Sequence, residues 1–270
     1  MCSKCQALCK KGLEIPKLVL ALRRVAVSNK AAPPAIYEVS ESVERFGSPY
    51  RSLTRGRGSW IGGLAHRASP SSKLLYWAGC TVSFRAVEVA RASVESLARL
   101  GLDFKLLADE PCCGEPLIEL GLIEEARRAA AKAIRAVEEA GVERLVTSCP
   151  GCYYAFTRLY PEVLGLRLPG VEVLHMSQLL EGGLKGPLRL REPLALAYHD
   201  PCVLGRQLGV YEAPRSVLSS IEGVKLVELP MNRRESSCCG GGGGLWMTNY
   251  ELASSIAYRK LVEEVAPLEV

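Results

Sequence analysis

The sequence has few aromatic residues, no strong charge excess and no long hydrophobic run. Only 6% of its residues are aromatic, and 34 Lys and Arg against 29 Asp and Glu leave a net charge of +5. Nucleic-acid binding is not suggested, because no basic run alternates with aromatic side chains. No apolar run reaches the roughly 18 residues of a membrane span, and the first five residues lack the apolar core of a signal peptide. These absences predict a cytoplasmic protein, and the length predicts about two domains.

The chain is rich in cysteine, with 11 in 270 residues. In a reducing compartment, clustered cysteines bind metal or carry out redox chemistry more often than they form structural disulfides. Two pairs stand before a glycine, Cys112-Cys113 and Cys238-Cys239, and a lone cysteine precedes each pair at a similar distance, Cys80 in one case and Cys202 in the other. The pattern predicts a duplicated unit that binds metal.

Strands and helices are predicted to alternate in the first repeat. Short apolar runs predict strands at 74–78, 104–107 and 144–147, and apolar periodicity predicts helices at 86–100, 116–120 and 123–140. Such alternation favours a largely parallel sheet, and ligands gather at the carboxyl ends of its strands. The thiols that follow the predicted strands are Cys80, Cys112, Cys113, Cys149 and Cys152. Five thiols are one more than tetrahedral zinc uses, which favours an iron–sulfur cluster.

The second repeat is predicted to have the same order of elements. In that repeat strands are expected at 194–198 and 224–227, and helices at 211–221 and 247–264; a further strand, at 171–175, is expected before the join between the repeats. His199 lies in His-Asp-Pro-Cys and could donate a proton, hydrogen-bond a cluster sulfur or merely cap the strand end. The glycine run 240–244 fits no nucleotide-binding motif and favours close approach of backbone N–H groups to cluster sulfides or to a substrate, with a flexible loop as the alternative.

The first residues carry a separate cysteine group. Cys2, Cys5 and Cys9 are spaced like the last three cysteines of a bacterial ferredoxin run, and a three-thiol zinc site is the alternative. A helix is predicted at 15–27. Residues 28–72 are predicted to be a linker with one short helix near 38–46, because they are rich in Pro, Gly and Ser. The linker arginines, which are expected to be solvated or to contact an acidic partner, are Arg51, Arg55, Arg57 and Arg67.

The cysteine pattern resembles the CCG-domain proteins, whose repeat has a lone Cys, then Cys-Cys-Gly, then Cys-x2-Cys. Members include the catalytic subunit of heterodisulfide reductase and the iron–sulfur subunits of glycolate, lactate and glycerol-3-phosphate oxidising complexes. The resemblance covers about residues 74 to 270 and implies a [4Fe-4S] cluster of non-cubane type. Its ligands would be the five thiols of the first repeat. The thiols at the matching positions of the second repeat are Cys202, Cys238 and Cys239.

The second repeat lacks the Cys-x2-Cys that completes the family pattern. The step from Cys113 to Cys149 is 36 positions, and the same step from Cys239 passes Val270. A fragment, a split gene or a frameshift is therefore expected. The predicted organisation is a partial ferredoxin-like segment at 1–27, the linker, a first CCG domain at 73–183 and a second at 184–270.

The predicted function is an iron–sulfur oxidoreductase subunit that passes electrons from a flavoprotein or iron–sulfur partner to a disulfide or other acceptor. A membrane subunit would be a further partner wherever the protein associates with a membrane. One alternative is a zinc-stabilised scaffold or binding subunit, which would not absorb visible light. Another is a metal-free thiol–disulfide oxidoreductase that uses Cys149 and Cys152.

Overall fold

Two compact units make up the chain. The computed structural model describes residues 1–50, 56–183, 188–268 and 270. One unit comprises Tyr37–Ile118 and Leu122–Leu184 and contains the first cysteine repeat, so it is called the repeat-1 unit. The other comprises Met1–Ile36, Glu119–Gly121 and Lys185–Val270, contains the second repeat and is called the repeat-2 unit.

Helices and strands alternate along most of the chain. The α-helices are α1 Lys4–Ala7, α2 Ile15–Ser28, α3 Pro34–Phe46, α4 Gly79–Phe84, α5 Val87–Arg99, α6 Glu115–Leu120, α7 Ile123–Ala140, α8 Pro150–Tyr154, α9 Met176–Gly183, α10 Glu212–Ser219, α11 Leu245–Thr248 and α12 Tyr250–Lys260. The strands are β1 Leu74–Trp77, β2 Arg144–Thr147, β3 Glu172–His175, β4 Leu188–Tyr198 and β5 Ile221–Glu228. Short 3-10 helices cover Arg57–Trp60, Gly62–Arg67, Arg233–Glu235 and Ala266–Leu268. Stretches of π-helix cover Ala155–Leu164, Val203–Gln207 and Leu261–Val265.

The repeat-1 unit is built on a parallel sheet of three strands in the order β1, β2, β3. Leu74 pairs with Arg144, and Arg144 pairs in turn with Glu172. Strand β1 is buried along its whole length, as is usual for a parallel strand that is covered on both faces. The predicted α/β class with parallel sheets is confirmed, and α7 and β2 have the bounds that the sequence predicted.

The strand predicted at 104–107 is present only as a single bridge. Lys105 donates its backbone N–H to Leu74 O at 2.7 Å, and Tyr76 N–H donates to Lys105 O at 3.0 Å. Phe104 is fully buried in the core, but the ladder does not continue beyond this one residue pair. The prediction was wrong about length because one buried aromatic side chain can anchor an apolar run without forming a strand.

Most of the segment predicted to be a linker, from Tyr37 onwards, belongs to the repeat-1 unit. Trp60 and Tyr50 are buried, and the Trp60 ring meets the Tyr76 ring edge to face at 6.1 Å. Trp60 belongs to the core cluster that also contains Val94 of α5 and Val146 of β2. The aromatic side chains of this Pro-rich and Gly-rich stretch therefore contribute to the core. Two of the predicted linker arginines, Arg51 and Arg55, lie outside the described residues.

The repeat-2 unit contains a second parallel pair of strands, β4 and β5. Strand β4 begins at Leu188, earlier than predicted, and its register shifts between Arg189 and Leu194. In the same unit Arg215 of α10 is buried and donates to both carboxylate oxygens of Asp200, each at 2.7 Å. This ion pair holds α10 against the strand end that leads to Cys202, which is two residues beyond Asp200.

The predicted N-terminal helix is present as α2 in the repeat-2 unit. It begins at Ile15 with proline at its second position, where a missing N–H is tolerated. Its apolar side chains Leu18, Leu22 and Val25 are exposed. Among the described residues, no helix combines the length and the apolar character that a membrane crossing requires.

Candidate iron–sulfur site

Two strand ends deliver thiols to one edge of the repeat-1 sheet. Cys80 is the second residue of α4, which begins two residues after β1 ends, and Cys149 follows β2 and immediately precedes α8. Gly79 has a φ of +78°. A Cβ on Gly79 would lie 2.8 Å from Cys152 Sγ and 3.3 Å from Cys149 Cβ. Only glycine allows the β1 strand end to approach the Cys-x2-Cys turn this closely.

The sulfur atoms of the first repeat form one continuous contact chain. The five residues, called here the repeat-1 thiols, are Cys80, Cys112, Cys113, Cys149 and Cys152. Cys113 Sγ and Cys152 Sγ are 3.4 Å apart. Side-chain hydrogen bonds also join Cys80 to Cys112, Cys112 to Cys113 and Cys149 to Cys152. The structure therefore brings together all five thiols that the sequence predicted.

Hydrogen bonds between the repeat-1 thiols lower the pKa of two of them and raise the pKa of the other three. Hydrogen bonds from Cys112 lower the pKa of Cys113 to about 7, and hydrogen bonds from Cys152 lower the pKa of Cys149 to about 7. Donation to a neighbouring thiolate raises the pKa of Cys80, Cys112 and Cys152, and burial adds to that rise. Some of these thiols must therefore lose a proton when the set binds metal, since the thiolate is the ligand form.

A buried carboxylate holds the backbone beside Cys80. The two carboxylate oxygens of Glu110 accept from Ala78 N–H at 2.8 Å and from Gly79 N–H at 2.7 Å. Burial raises the pKa of Glu110 to about 7, against the opposing effect of Arg57. Glu110 thus satisfies two strand-end donors that would otherwise be buried without a partner.

Arg57 also reaches this site, although the sequence predicted a solvated linker arginine. Only 8% of the residue is exposed, and its Nη2 donates to Cys80 Sγ at 2.9 Å. Burial acts to lower the pKa of Arg57, but the negative groups around it, led by Cys80 and Glu110, outweigh burial and raise the pKa. The prediction was wrong for Arg57 because a single arginine in a glycine-rich stretch has no periodic pattern that would reveal its burial. The fourth linker arginine, Arg67, is exposed and pairs with Glu95 at 3.3 Å.

A cavity of about 180 Å³ lies beside Cys112. Its wall contains the basic side chains Arg128 and Lys132 of α7 and the acidic side chains Glu44 and Glu125. The opposite charges partly offset one another. The cavity therefore leaves space for a small molecule beside Cys112.

The two Cys-Cys-Gly turns have the same local geometry. Gly114 and Gly240 both have a φ of +79°. Gly114 N–H donates to Cys112 Sγ at 3.4 Å, and Gly240 N–H donates to Cys238 Sγ at 3.4 Å. This likeness supports the duplication that the sequence indicated, and it gives a structural reason for the glycine that follows each cysteine pair.

The thiols of the repeat-2 unit are less buried than the repeat-1 thiols. Cys202, Cys238 and Cys239 are called the repeat-2 thiols; Cys239 is exposed and the other two are half-buried. Cys2 forms a side-chain hydrogen bond with Cys238, which lowers the pKa of Cys2 to about 5. Arg206 holds this N-terminal segment by donating to Cys2 O at 2.7 Å. The N-terminal cysteine segment and the second repeat therefore meet through Cys2, which the sequence did not predict.

The other N-terminal thiols differ in burial, and two of the histidines each lie beside a serine hydroxyl. Cys5 is exposed and Cys9 is half-buried. His199 Nδ1 lies 3.3 Å from Ser236 Oγ, and burial lowers the pKa of His199 to about 4. His175 Nδ1 lies 2.9 Å from Ser177 Oγ, and burial lowers its pKa to about 4. Both imidazoles are therefore uncharged near neutral pH.

The repeat-1 thiols suit a cluster of several metal ions better than a single ion. The Sγ atoms of Cys113 and Cys152 are 3.4 Å apart, and side-chain hydrogen bonds connect these two thiols to the other three. Tetrahedral zinc uses four ligands, whereas five thiolates in contact offer a soft and larger donor set. The donor chemistry therefore fits an iron–sulfur cluster.

Comparison with known proteins supports this chemistry. A family model described as CCG, cysteine-rich domain, matches residues 74–157 and 196–265, which together are more than half of the chain. The chain belongs to this family. The first matched range contains all five repeat-1 thiols, and the second contains all three repeat-2 thiols. The duplication and the CCG family membership that the sequence predicted are confirmed.

Three curated relatives extend the comparison. One subunit of the dihydromethanophenazine:CoB–CoM heterodisulfide reductase of Methanosarcina barkeri is 31% identical over 86% of this chain and 58% of its own length. The EtfAB:quinone oxidoreductase of Syntrophomonas wolfei is 30% identical over 82% of this chain and 33% of its own length. A Bacillus subtilis protein named "Probable iron-sulfur-binding oxidoreductase" is 31% identical over 91% of this chain and 37% of its own length.

The chain thus spans less than two thirds of the length of each of these relatives. Their names and the family match support an iron–sulfur cluster as the cofactor, as the sequence predicted. They do not support the zinc alternative.

Proposed function

We propose that this protein is an iron–sulfur redox subunit whose principal cluster is bound by the five repeat-1 thiols. The observation that carries the proposal is the unbroken contact chain among these sulfurs. Thiolates select iron–sulfur clusters and other soft metal centres. Such a cluster, when bound, takes up and releases single electrons.

The residues around the thiols would hold the ligand positions fixed. Tyr160 is fully buried and donates its hydroxyl to Cys113 O at 2.8 Å. Glu110 fixes the strand end before Cys80, and the Gly114 N–H fixes Cys112. Because Cys80, Cys112, Cys113 and Cys152 are buried, the surrounding protein would also keep water away from most of the cluster.

The electron donor and acceptor belong to the proposal as chemical classes. A flavoprotein or iron–sulfur subunit would supply electrons, and a disulfide or a quinone-type compound would accept them. The support comes from the names of the relatives, which include a heterodisulfide reductase subunit and a quinone oxidoreductase. We propose a cytoplasmic location, and membrane association, where it occurs, would be through a partner subunit.

The repeat-2 thiols and the N-terminal cysteines form a second proposed metal-binding group. The contact between Cys2 and Cys238 supports treating them together, since it joins the two cysteine segments within one unit. Metal binding by Cys5 and Cys9 remains a prediction from their spacing. For His199 we propose a hydrogen-bonding role, because its contact is with Ser236 and its imidazole is uncharged near neutral pH.

The test is a visible spectrum and a metal and acid-labile sulfide analysis of protein purified without oxygen. We expect iron and sulfide in similar amounts, and visible absorption that bleaches reversibly on reduction with dithionite. Protein that contains zinc alone, without sulfide or visible absorption, would contradict the proposal.

Thiol–disulfide exchange by Cys149 and Cys152 is the second candidate. The specific observation in its favour is the lowered pKa of Cys149, about 7, within a Cys-x2-Cys turn. The cluster is preferred because Cys113 contacts Cys152 and so joins this pair to three further thiols. Metal-free protein that cycles between two free thiols and one disulfide at Cys149 and Cys152 would favour exchange.

A further inference from the structure

Arg57 is a buried cation whose shortest contact is with a thiol of the candidate cluster site. Its Nη2 donates to Cys80 Sγ at 2.9 Å and to Gly47 O at 3.1 Å. Its Nη1 lies 3.4 Å from Glu110 Oε1. The guanidinium carbon lies 5.5 Å from the centre of the Phe84 ring. Four groups thus surround the guanidinium, two of them from α4 and the others from Gly47 and Glu110.

The carboxylate of Glu110 only partly explains why a charge is buried here. Both of its oxygens already accept shorter hydrogen bonds from backbone N–H groups, at 2.7 and 2.8 Å. Burying a cation is expensive unless a well-placed anion accompanies it. Cys80 is the other group in contact that can become an anion, and as a metal ligand it would be a thiolate. The position of Arg57 therefore suits a site whose Cys80 carries negative charge.

We propose that Arg57 is a positioning residue that orients Cys80 as a cluster ligand and raises the reduction potential of the cluster. This inference rests on the proposed function, since it concerns the cluster bound by the repeat-1 thiols. On reduction, one electron passes from an external reductant to the cluster and adds one negative charge beside the guanidinium. A fixed cation and an N–H···S hydrogen bond stabilise that added charge, and both net charge and hydrogen bonds to sulfur set such potentials.

The experiment is a redox titration followed by electron paramagnetic resonance on the full chain with its iron in place. The wild type is compared with Arg57→Gln, which removes the charge, and with Arg57→Lys, which keeps the charge but not the forked guanidinium. We expect Arg57→Gln to lower the equilibrium constant for reduction at least tenfold, a fall of about 59 mV for one electron. We expect Arg57→Lys to lower it about threefold, because an ammonium cannot reproduce the fork geometry.

Arg85→Gln is the matched control. Arg85 is exposed, belongs to the same unit and lies over the Tyr50 ring at 5.2 Å, so its loss removes one positive charge without removing a contact to a thiol. Its effect on the potential should be at most about twofold in the equilibrium constant, because water screens an exposed charge.

Equal potentials in the iron-loaded wild type and Arg57→Gln would overturn the inference. If Arg57→Gln retains no iron, the potential and spectrum of Arg57→Lys test the inference instead. A potential and spectrum like those of the wild type would overturn the inference, and a lowered potential with shifted g values would support it. A wild-type protein without iron and sulfide would instead count against the proposed function, so the two failures are distinguishable.

Discussion

The two cysteine repeats share a turn but differ in how their thiols are surrounded. In the first repeat, four of the five thiols are buried, and a carboxylate, an arginine and a tyrosine hold the backbone and sulfurs around them. In the second repeat, Cys239 is exposed, and Cys238 has a partner from the N-terminal segment. The Cys-Cys-Gly turn can therefore form without the rest of the site. The residues around the first turn account for the burial of its thiols.

The largest expected difference between the repeats is in the loss of cluster absorption when the matched cysteines Cys113 and Cys239 are each replaced by serine. Cys113→Ser breaks contacts to two neighbouring thiols, Cys112 and Cys152, so we expect it to remove most of the cluster absorption. Cys239→Ser changes the exposed member of the other pair and should remove less than half. Visible spectra of the two variants, purified side by side without oxygen, measure both losses. A larger loss for Cys239→Ser would reverse the ranking of the two sites.

The buried ion pair between Arg215 and Asp200 is expected to stabilise the repeat-2 unit. Arg215→Ala leaves the Asp200 carboxylate buried without its main partner, which should destabilise the unit by about 3 to 5 kcal/mol. Arg189→Ala is the control, because Arg189 is exposed and its pair with Glu222 should contribute no more than about 1 kcal/mol. Urea unfolding followed by circular dichroism gives both values. Equal midpoints for the two variants would contradict the ranking.

Gly79→Ala tests the close approach that is specific to the first site. The new Cβ would meet Cys152 Sγ at 2.8 Å on a residue with positive φ, so we expect a loss of about 2 to 3 kcal/mol together with lower iron content. Gly170→Ala is the matched control, since Gly170 has a φ of +70° and nothing within 4 Å of an added Cβ. It should show the backbone strain alone, with iron content unchanged. If iron fell equally in both variants, the contact with Cys152 would not be the cause.

The smallest expected effect is the acid sensitivity of the repeat-1 unit. Burial lowers the pKa of His175 from 6.5 to about 4, so the unfolded chain binds more protons than the folded protein between these values. The contribution of His175 to stability is complete above pH 6.5 and is lost as pH falls towards 4. Between about pH 7 and pH 5 the free energy of unfolding should fall by about 2 kcal/mol through this group.

His175→Gln should flatten that pH dependence when urea midpoints are compared at about pH 7 and pH 5. His199 in the repeat-2 unit has a similarly lowered pKa, so His199→Gln is the comparison variant. An unchanged slope in His175→Gln would show that the imidazole is not protonated on unfolding as described.

Periodic features of the fold could be predicted from the sequence. Helix α7 and strand β2 begin and end where apolar spacing placed them, and Cys80 and Cys149 lie at one edge of the sheet because the carboxyl ends of parallel strands share that edge. The length of the segment at 104–107 could not be predicted, because burial of Phe104 gives the same pattern as a short strand.

Contacts between distant residues could not be predicted. Arg57 lies 23 positions before Cys80, and Cys2 lies 204 positions before Arg206, which holds its carbonyl. Such contacts depend on tertiary packing, and local composition in the glycine-rich stretch indicated solvent exposure instead. The surroundings of the site were therefore less predictable than its ligands.

The central claim, a cluster held by the repeat-1 thiols, is tested most directly by iron and acid-labile sulfide content in a Cys112→Ser, Cys113→Ser double variant. We expect both to fall sharply relative to the wild type, together with the paramagnetic resonance signal of the reduced cluster. Iron and sulfide at wild-type levels in a folded double variant would contradict the account, because the cluster would then have to be bound elsewhere.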